Sequence, residues 1–192
     1  MIDLAKQVLQ ELEQIAPKKK IPIVNKDTVN FVVSLIAPNS KILEVGTAVG
    51  YSGIFMLAHT QGTTLTTVEI QKDRAETAAQ NFIKAGLADR VSVVWQDALE
   101  FINETTDKFD FIFLDGAMYR YPYMFEGLKK SLNKNGLIVI DNALRLNRTQ
   151  DKVRDKLLFK LSEFISLISN DPDFKTIIHD IGDGILVAIK MK

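Results

Sequence analysis

Two short runs, Phe111-Ile112-Phe113-Leu114 and Leu137-Ile138-Val139-Ile140, are apolar at every position, and they constrain the fold more than any other feature of the chain. A strand with one face in water alternates apolar and polar residues; a strand apolar on both faces needs a covering layer on each side. The rest of the sequence supplies those layers. Strand patterns at Lys41–Val45, Leu65–Ile70, Val91–Trp95, Phe109–Leu114 and Leu137–Ile140 alternate with helix patterns at Tyr51–His59, Asp73–Ala85, Ala98–Glu104 and Tyr123–Leu132. This βα rhythm predicts an α/β protein built on a doubly wound open sheet. Helix patterns at Leu4–Ile15 and Thr28–Ile36 precede it, bounded by Pro17, Pro22 and Pro38. After Asn142 the rhythm changes. A long helix pattern from Gln150 to about Ile168 leads to strand patterns at Lys175–Ile181 and Gly184–Lys190, and Gly182-Asp183-Gly184 between them predicts an antiparallel hairpin. With no linker or repeat, residues 1–192 read as one domain: a helical segment at 1–38 and a mixed-sheet core at 39–192. Trp95, Phe109, Phe111 and Phe113 read as core, and His59 and His179 as structural.

Composition narrows the chemistry. The chain has no cysteine, which excludes disulfides, zinc–thiolate sites and a thiol nucleophile. Lys+Arg and Asp+Glu balance at 24 each, so no global field draws the protein to nucleic acid or membrane. Charges at Asp3, Lys6, Glu11 and Glu13 break any signal-peptide core, and no apolar run suits a membrane span. A cytoplasmic protein with no membrane partner is the expectation.

Ligands of open α/β sheets bind beyond the carboxyl ends of the strands, where the strand order switches. Here the tips carry Glu44 and Gly46, Glu69, Gln96-Asp97, Asp115, and Asp141-Asn142. A nucleoside triphosphate would want lysine and backbone amides there, and no Gly-Lys-Ser/Thr occurs. Tips this acidic suit a cationic nucleotide-like cofactor, a divalent metal, or both. In the turn Gly46-Thr47-Ala48-Val49-Gly50, the glycines let backbone approach a ligand closely. Glu69 is placed to take ribose hydroxyls, and Asp97, with Ala98 beside it, to accept from the amine of adenine. Acids after strands also serve as helix N-caps, and glycines as plain turns. Asp115, Asp141 and Asn142 are three oxygen donors on consecutive strand tips, enough to share one octahedral cation; an Asp-Asn turn closing the last of these strands is the alternative. Tyr119, Arg120 and Tyr121 follow the Asp115 tip and form either a stacking wall for a flat acceptor or a packing cluster at a helix start.

Together these segments resemble class I S-adenosylmethionine methyltransferases, and among them the metal-dependent catechol O-methyltransferase-like O-methyltransferases. The resemblance runs through Ile42–Ser52, Thr67–Ile70, Gln96–Ala98, Phe109–Gly116, Gly136–Asn142 and the hairpin Ile181–Ile189. Ile21-Pro22-Ile23-Val24 and Asp171-Pro172-Asp173-Phe174 are similar to bacterial members that methylate 5-hydroxyuridine in tRNA. The resemblance implies a Rossmann-like sheet of seven strands, the last antiparallel. It implies S-adenosylmethionine as cofactor, with Glu44, Gly46, Thr47, Gly50, Tyr51 and Ser52 around the methionine part, Glu69 and Ile70 at the ribose, and Asp97 and Ala98 at adenine. Val24 would close over the cofactor, with Asp115 also touching it. Asp115, Asp141 and Asn142 would hold Mg2+ or a similar cation, Asp115 and Asp141 being the catalytic pair. Tyr119, Arg120 and Tyr121 would meet the acceptor, a catechol-like phenol or tRNA hydroxyuridine, and the protein would form a homodimer.

One position departs from the family. Three residues after Asp115 its members carry a lysine as general base, and here Met118 stands there. Either a metal alone acidifies the acceptor, or Tyr119, Arg120 or Tyr121 assists. A nicotinamide-dependent oxidoreductase is the competing reading, though the turn at Gly46 lacks the full Gly-x-Gly-x-x-Gly spacing; Met118 also prompts a catalytically silent cofactor-binding protein. The run Arg145–Lys160 holds six basic residues against Asp151 and Asp155, a phosphate-steering surface or simply a solvated helix face.

Overall fold

A computed structural model describes residues 2–116, 118–144 and 152–192. Of the basic run, Arg145 and Arg148 lie outside the described residues, as do the side chains of Lys152, Arg154 and Lys156. Seven strands form one sheet: β1 (Lys41–Val45), β2 (Thr64–Glu69), β3 (Val91–Trp95), β4 (Phe109–Leu114), β5 (Leu132–Ile140), β6 (Phe174–His179) and β7 (Ile185–Lys190). Their order is β3-β2-β1-β4-β5-β7-β6. The first five are parallel, and β7 runs antiparallel between β5 and β6. The expected doubly wound mixed sheet with a terminal hairpin is what forms.

Among the described residues, seven α-helices cover it: α1 (Ile2–Lys19), α2 (Lys26–Ser34), α3 (Tyr51–His59), α4 (Lys72–Lys84), α5 (Ala98–Glu104), α6 (Tyr121–Ser131) and α7 (Lys152–Asn170). Strand alternation decides which layer each residue joins. Ile42, Phe111, Phe113, Val139 and Val187 face one core with α1 to α4, while Leu43, Val45, Ile112, Leu114, Ile138, Ile140 and Leu186 face a second with α5 to α7. The continuous apolar runs in β4 and β5 thus serve both layers, as burial on two faces demands. None of the described helices is long and apolar enough to cross a membrane.

Three elements differ from the sequence reading, each for a local reason. Helix α1 continues through Pro17 to Lys19; the proline forfeits one N–H bond to the preceding turn only two residues before the helix ends, and Ile21 N donates to Ala16 O at 2.9 Å beyond it. Strand β5 starts at Leu132, before the Asn135-Gly136 signal that was expected to precede it. Leu132 pairs with Phe109 and Leu137 with Phe111, so the intervening residues bulge, with Asn135 at φ 63° and Asn133 Nδ2 donating to Asp110 Oδ1 at 2.7 Å. Trp95 is not core. It ends edge strand β3 more than half exposed, its Nε1 donating to Ile70 O at 3.1 Å and Lys72 Nζ lying 5.0 Å from the ring centroid.

The N-terminal turn of α3 packs close against β2 and α4 because Gly53 has no side chain: a Cβ there would sit 2.7 Å from both Leu65 Cδ2 and Phe82 Cζ. Gly53→Val overpacks this buried contact and is expected to destabilise the fold by about 1–3 kcal/mol, read as a lowered denaturation midpoint.

Candidate active site

Strands β1 and β4 are neighbours, yet their connections leave in opposite directions, to β2 on one side and β5 on the other. The loops at their carboxyl ends therefore diverge, and a cleft of about 410 Å³ opens there. Glycines allow the loops to touch at its base. Gly46 has φ +103°, and a Cβ on it would lie 2.8 Å from Asp115 O, so backbone meets backbone where any side chain would intrude.

The cleft gathers most of the expected cofactor residues. Val24, Gly46, Thr47, Tyr51, Ser52, Glu69, Ile70, Asp97, Ala98 and Asp115 line it, with Tyr119 and Arg120 at one wall. Glu69 is nearly buried, and its two oxygens accept from Ala48 N and Gln71 N, both at 2.9 Å. It thereby ties the β1 loop to the tip of β2 while presenting a carboxylate to the cleft. Asp97 does two jobs: Oδ1 caps α5 through Leu99 N at 2.9 Å, and Oδ2 accepts from Arg120 Nη2 at 2.8 Å. The N-cap alternative is therefore real, and any adenine amine must share Asp97 with Arg120. Helix α3 starts at Gly50 with no side-chain cap, so its first-turn N–H groups suit a ligand carboxylate.

Three of the expected cofactor and acceptor residues sit elsewhere. Glu44 is fully buried behind the floor, accepting from Ser52 Oγ at 2.5 Å and Thr67 Oγ1 at 2.6 Å; its strand position turns it under α3 rather than outward. Gly50 packs against the Phe82 ring instead of lining the cleft. Tyr121 is also buried, and its hydroxyl accepts from Gly116 N at 3.0 Å. It supports the β4 loop from behind and forms no wall. Burial above all, with Asp115 and Asp141 nearby, holds that hydroxyl well above the usual tyrosine range, so it stays protonated. Met118 packs among apolar side chains of the second core, with no basic atom to offer.

Asp141 and Asn142 lie beside the cleft lining. Leu114 pairs with Ile140, so Asp115 and Asp141 follow adjacent strand ends, and Asp141 N donates to Leu114 O at 3.2 Å. Asp141 is almost buried, its Oδ1 accepting from Asn142 N at 2.8 Å, and Asn142 adopts φ 68°. Two carboxylates and an amide oxygen on one edge form an all-oxygen donor set of the kind hard divalent cations take.

Pro22, Ile23, Gln96 and Gly116, which fall within segments singled out in the sequence without an assigned role, also line the cleft, as do Gln71 and Arg74, which carried no sequence signal. Tyr51, from the cleft wall, donates its hydroxyl to Glu13 Oε1 on α1 at 2.8 Å. Thr67 was discoverable, because it lies two residues before Glu69 on the same strand and so shares its face; Glu13, distant in sequence, was not.

Burial pushes the Glu44 carboxyl up to about 7 from 4.5, with Ser52 and Thr67 opposing the shift and Glu69 adding to it. Below about pH 4.5 the group is protonated in folded and unfolded chains alike. As pH rises the unfolded chain ionises first, so stability falls until native Glu44 itself ionises near pH 7, then levels. The expected loss is on the order of 3 kcal/mol, and urea titrations across this range should show Glu44→Gln removing most of it.

A family profile described as O-methyltransferase matches residues 2–191 of the chain. A protein from Mycobacterium avium that bears an O-methyltransferase name is 31% identical over 154 residues, 78% of this chain and 69% of its own. The structure is similar to that of an O-methyltransferase from Bacillus cereus in complex with S-adenosylhomocysteine, at TM-score 0.83 and 27% identity, covering 96% of this chain and 90% of that one. A methyltransferase from Geobacter sulfurreducens matches at TM-score 0.78 and 25% identity, over 96% and 90% of the two chains.

Proposed function

We propose, from the premise that this chain belongs to the O-methyltransferase family and is an S-adenosylmethionine-dependent O-methyltransferase, that it methylates an acidic hydroxyl on a flat ring with help from a divalent cation. The acceptor class covers catechol-like phenols and the hydroxyuracil ring of tRNA 5-hydroxyuridine. The observation that carries the reading is the cleft at the β1–β4 divergence, with Glu69, Asp97 and Asp115 at successive strand tips around it. The nicotinamide reading falls with the family assignment.

The cofactor, when bound, supplies an electrophilic sulfonium methyl. Around it this chain's groups bind and orient. Glu69 offers acceptors to ribose hydroxyls, Ala98 and Ile70 flank the base, and the uncapped start of α3 receives the amino-acid carboxylate. Val24 and Ile23 close one side and exclude water. Positioning of this kind accounts for most of what the protein must do, because an activated methyl needs alignment more than activation.

The acceptor must lose a proton, and the residues after Asp115 offer no base for it. Met118 cannot take one, Arg120 is a cation paired with Asp97, and Tyr121 is buried and protonated. Asp115, Asp141 and Asn142 would hold the cation, which lowers the pKa of a coordinated hydroxyl. Already acidic hydroxyls need the least further help, which favours phenols and hydroxyuracil over aliphatic alcohols. Tyr119, about half exposed with Arg120 against its ring at 5.4 Å, offers a face on which a flat acceptor can stack.

Transfer from labelled S-adenosylmethionine to a simple catechol and to hydroxyuridine-containing tRNA, with magnesium or with chelator, tests this reading. Chelator-sensitive transfer to one of the two is expected; chelator-insensitive transfer removes the metal. Asp141→Ala should abolish magnesium-stimulated turnover while calorimetry shows S-adenosylhomocysteine affinity largely kept. Magnesium-dependent turnover surviving in that variant counts against the cation site.

A further inference from the structure

The turn between β6 and β7, Ile181–Gly184, contributes no residue to the cleft lining, yet it lies against the loop that follows Asp141 and Asn142. Strands β5 and β7 keep antiparallel register up to Ile140 opposite Leu186. Beyond that pair the register slips. Ala143 N donates to Gly184 O and Leu144 N to Asp183 O, both at 2.9 Å. Three steps along the β5 side, from Ile140 to Ala143, therefore match two along the β7 side, from Leu186 to Gly184. The β5 side carries one residue in excess, and Asn142, at φ 68°, absorbs it. Asparagine tolerates this left-handed backbone better than most side chains. An extra residue of this kind bends its strand and re-aims the side chains beside it. Here those side chains are Asp141 and Asn142.

Bare backbone fixes the turn on two sides. Gly184 has φ +89°, and a Cβ on it would lie 2.6 Å from Leu144 N, so glycine lets the carbonyls of the turn reach the loop. Gly182 has φ +57°, and a Cβ there would lie 2.5 Å from Asn25 Nδ2 and 2.6 Å from Thr28 Oγ1, at the start of α2. The turn is thus wedged between α2 and the loop, while at the front of the loop Asp141 N donates to Leu114 O at 3.2 Å. Resting on the reading of Asp115, Asp141 and Asn142 as the donors of a divalent cation, we propose that the turn Ile181–Gly184 is the strut of that site and Gly184 its positioning residue. By holding the backbone of Ala143 and Leu144 it fixes the slipped register that presents Asp141 and Asn142 together at the cleft edge. Gly184 acts only through those backbone bonds. Groups that orient a metal's ligands without touching the metal commonly govern its affinity by about 10–100-fold.

The test reads binding of Mn2+, a paramagnetic stand-in for Mg2+, by electron paramagnetic resonance with S-adenosylhomocysteine at saturation. Calorimetry in the presence of chelator reads S-adenosylhomocysteine separately. Gly184→Ala drives a Cβ against Leu144 N at a strained φ. It should weaken Mn2+ roughly tenfold or more, with S-adenosylhomocysteine affinity unchanged. Mn2+ affinity equal to that of the unsubstituted protein overturns the proposal. So does a loss of S-adenosylhomocysteine affinity alongside that of Mn2+, which marks a general distortion; both results leave the cation reading standing. An unsubstituted protein that binds no Mn2+ overturns the strut and the cation site together. Should Gly184→Ala melt below the assay temperature, Leu144→Pro removes the N–H that reaches Asp183 O and keeps the turn's own residues. Selective loss of Mn2+ binding in that variant supports the strut, and unchanged Mn2+ binding overturns it.

Discussion

The parallel pairing of β1 with β4 is the contact on which the rest of the molecule depends. It joins strands whose chain connections run to opposite halves of the sheet. Where the pairing ends, the loops must part, and the cleft is the space left by that parting. The backbone contact of Gly46 with Asp115 and Gly116 sets its depth. A larger residue at position 46 would hold the two loops apart and unseat Asp115 from the side of the first strand.

Carboxylates crowd this region, and the fold satisfies them mainly with uncharged donors. Glu69 takes two backbone amides, Asp141 the amide of Asn142, and Glu44 two hydroxyls, while Asp97 takes the amide of Leu99 and the guanidinium of Arg120. Hydrogen bonds to neutral donors hold such groups in place without cancelling their charge.

Much of this was legible in the residues. The all-apolar runs of β4 and β5 demanded two helical layers, and each strand-tip acid could be located because a strand's end is marked by the break in its apolar pattern. Tyr121 took the helix-start packing role rather than the substrate wall, and Trp95 was misread as core, for one reason: an aromatic side chain looks alike in sequence whether it points into the protein or out of it. Tyr121 points inward because α6 begins there and buries its first turn against α7; Trp95 points outward because β3 is the sheet's edge.

By itself the sequence determined the α/β class, the order of elements and the set of polar groups at the strand tips, because periodicity and turn residues are local properties. Which of those groups reach the cleft was decided only by tertiary structure. Glu44 and Glu69 end neighbouring strands with similar local signals, yet one lies sealed beneath Ser52 and Thr67 and the other lines the cleft. Glu44 is covered because the start of α3 brings Ser52 over it while the bare Gly53 packs against Leu65 of β2 and Phe82 of α4, a long-range packing event that no local pattern encodes.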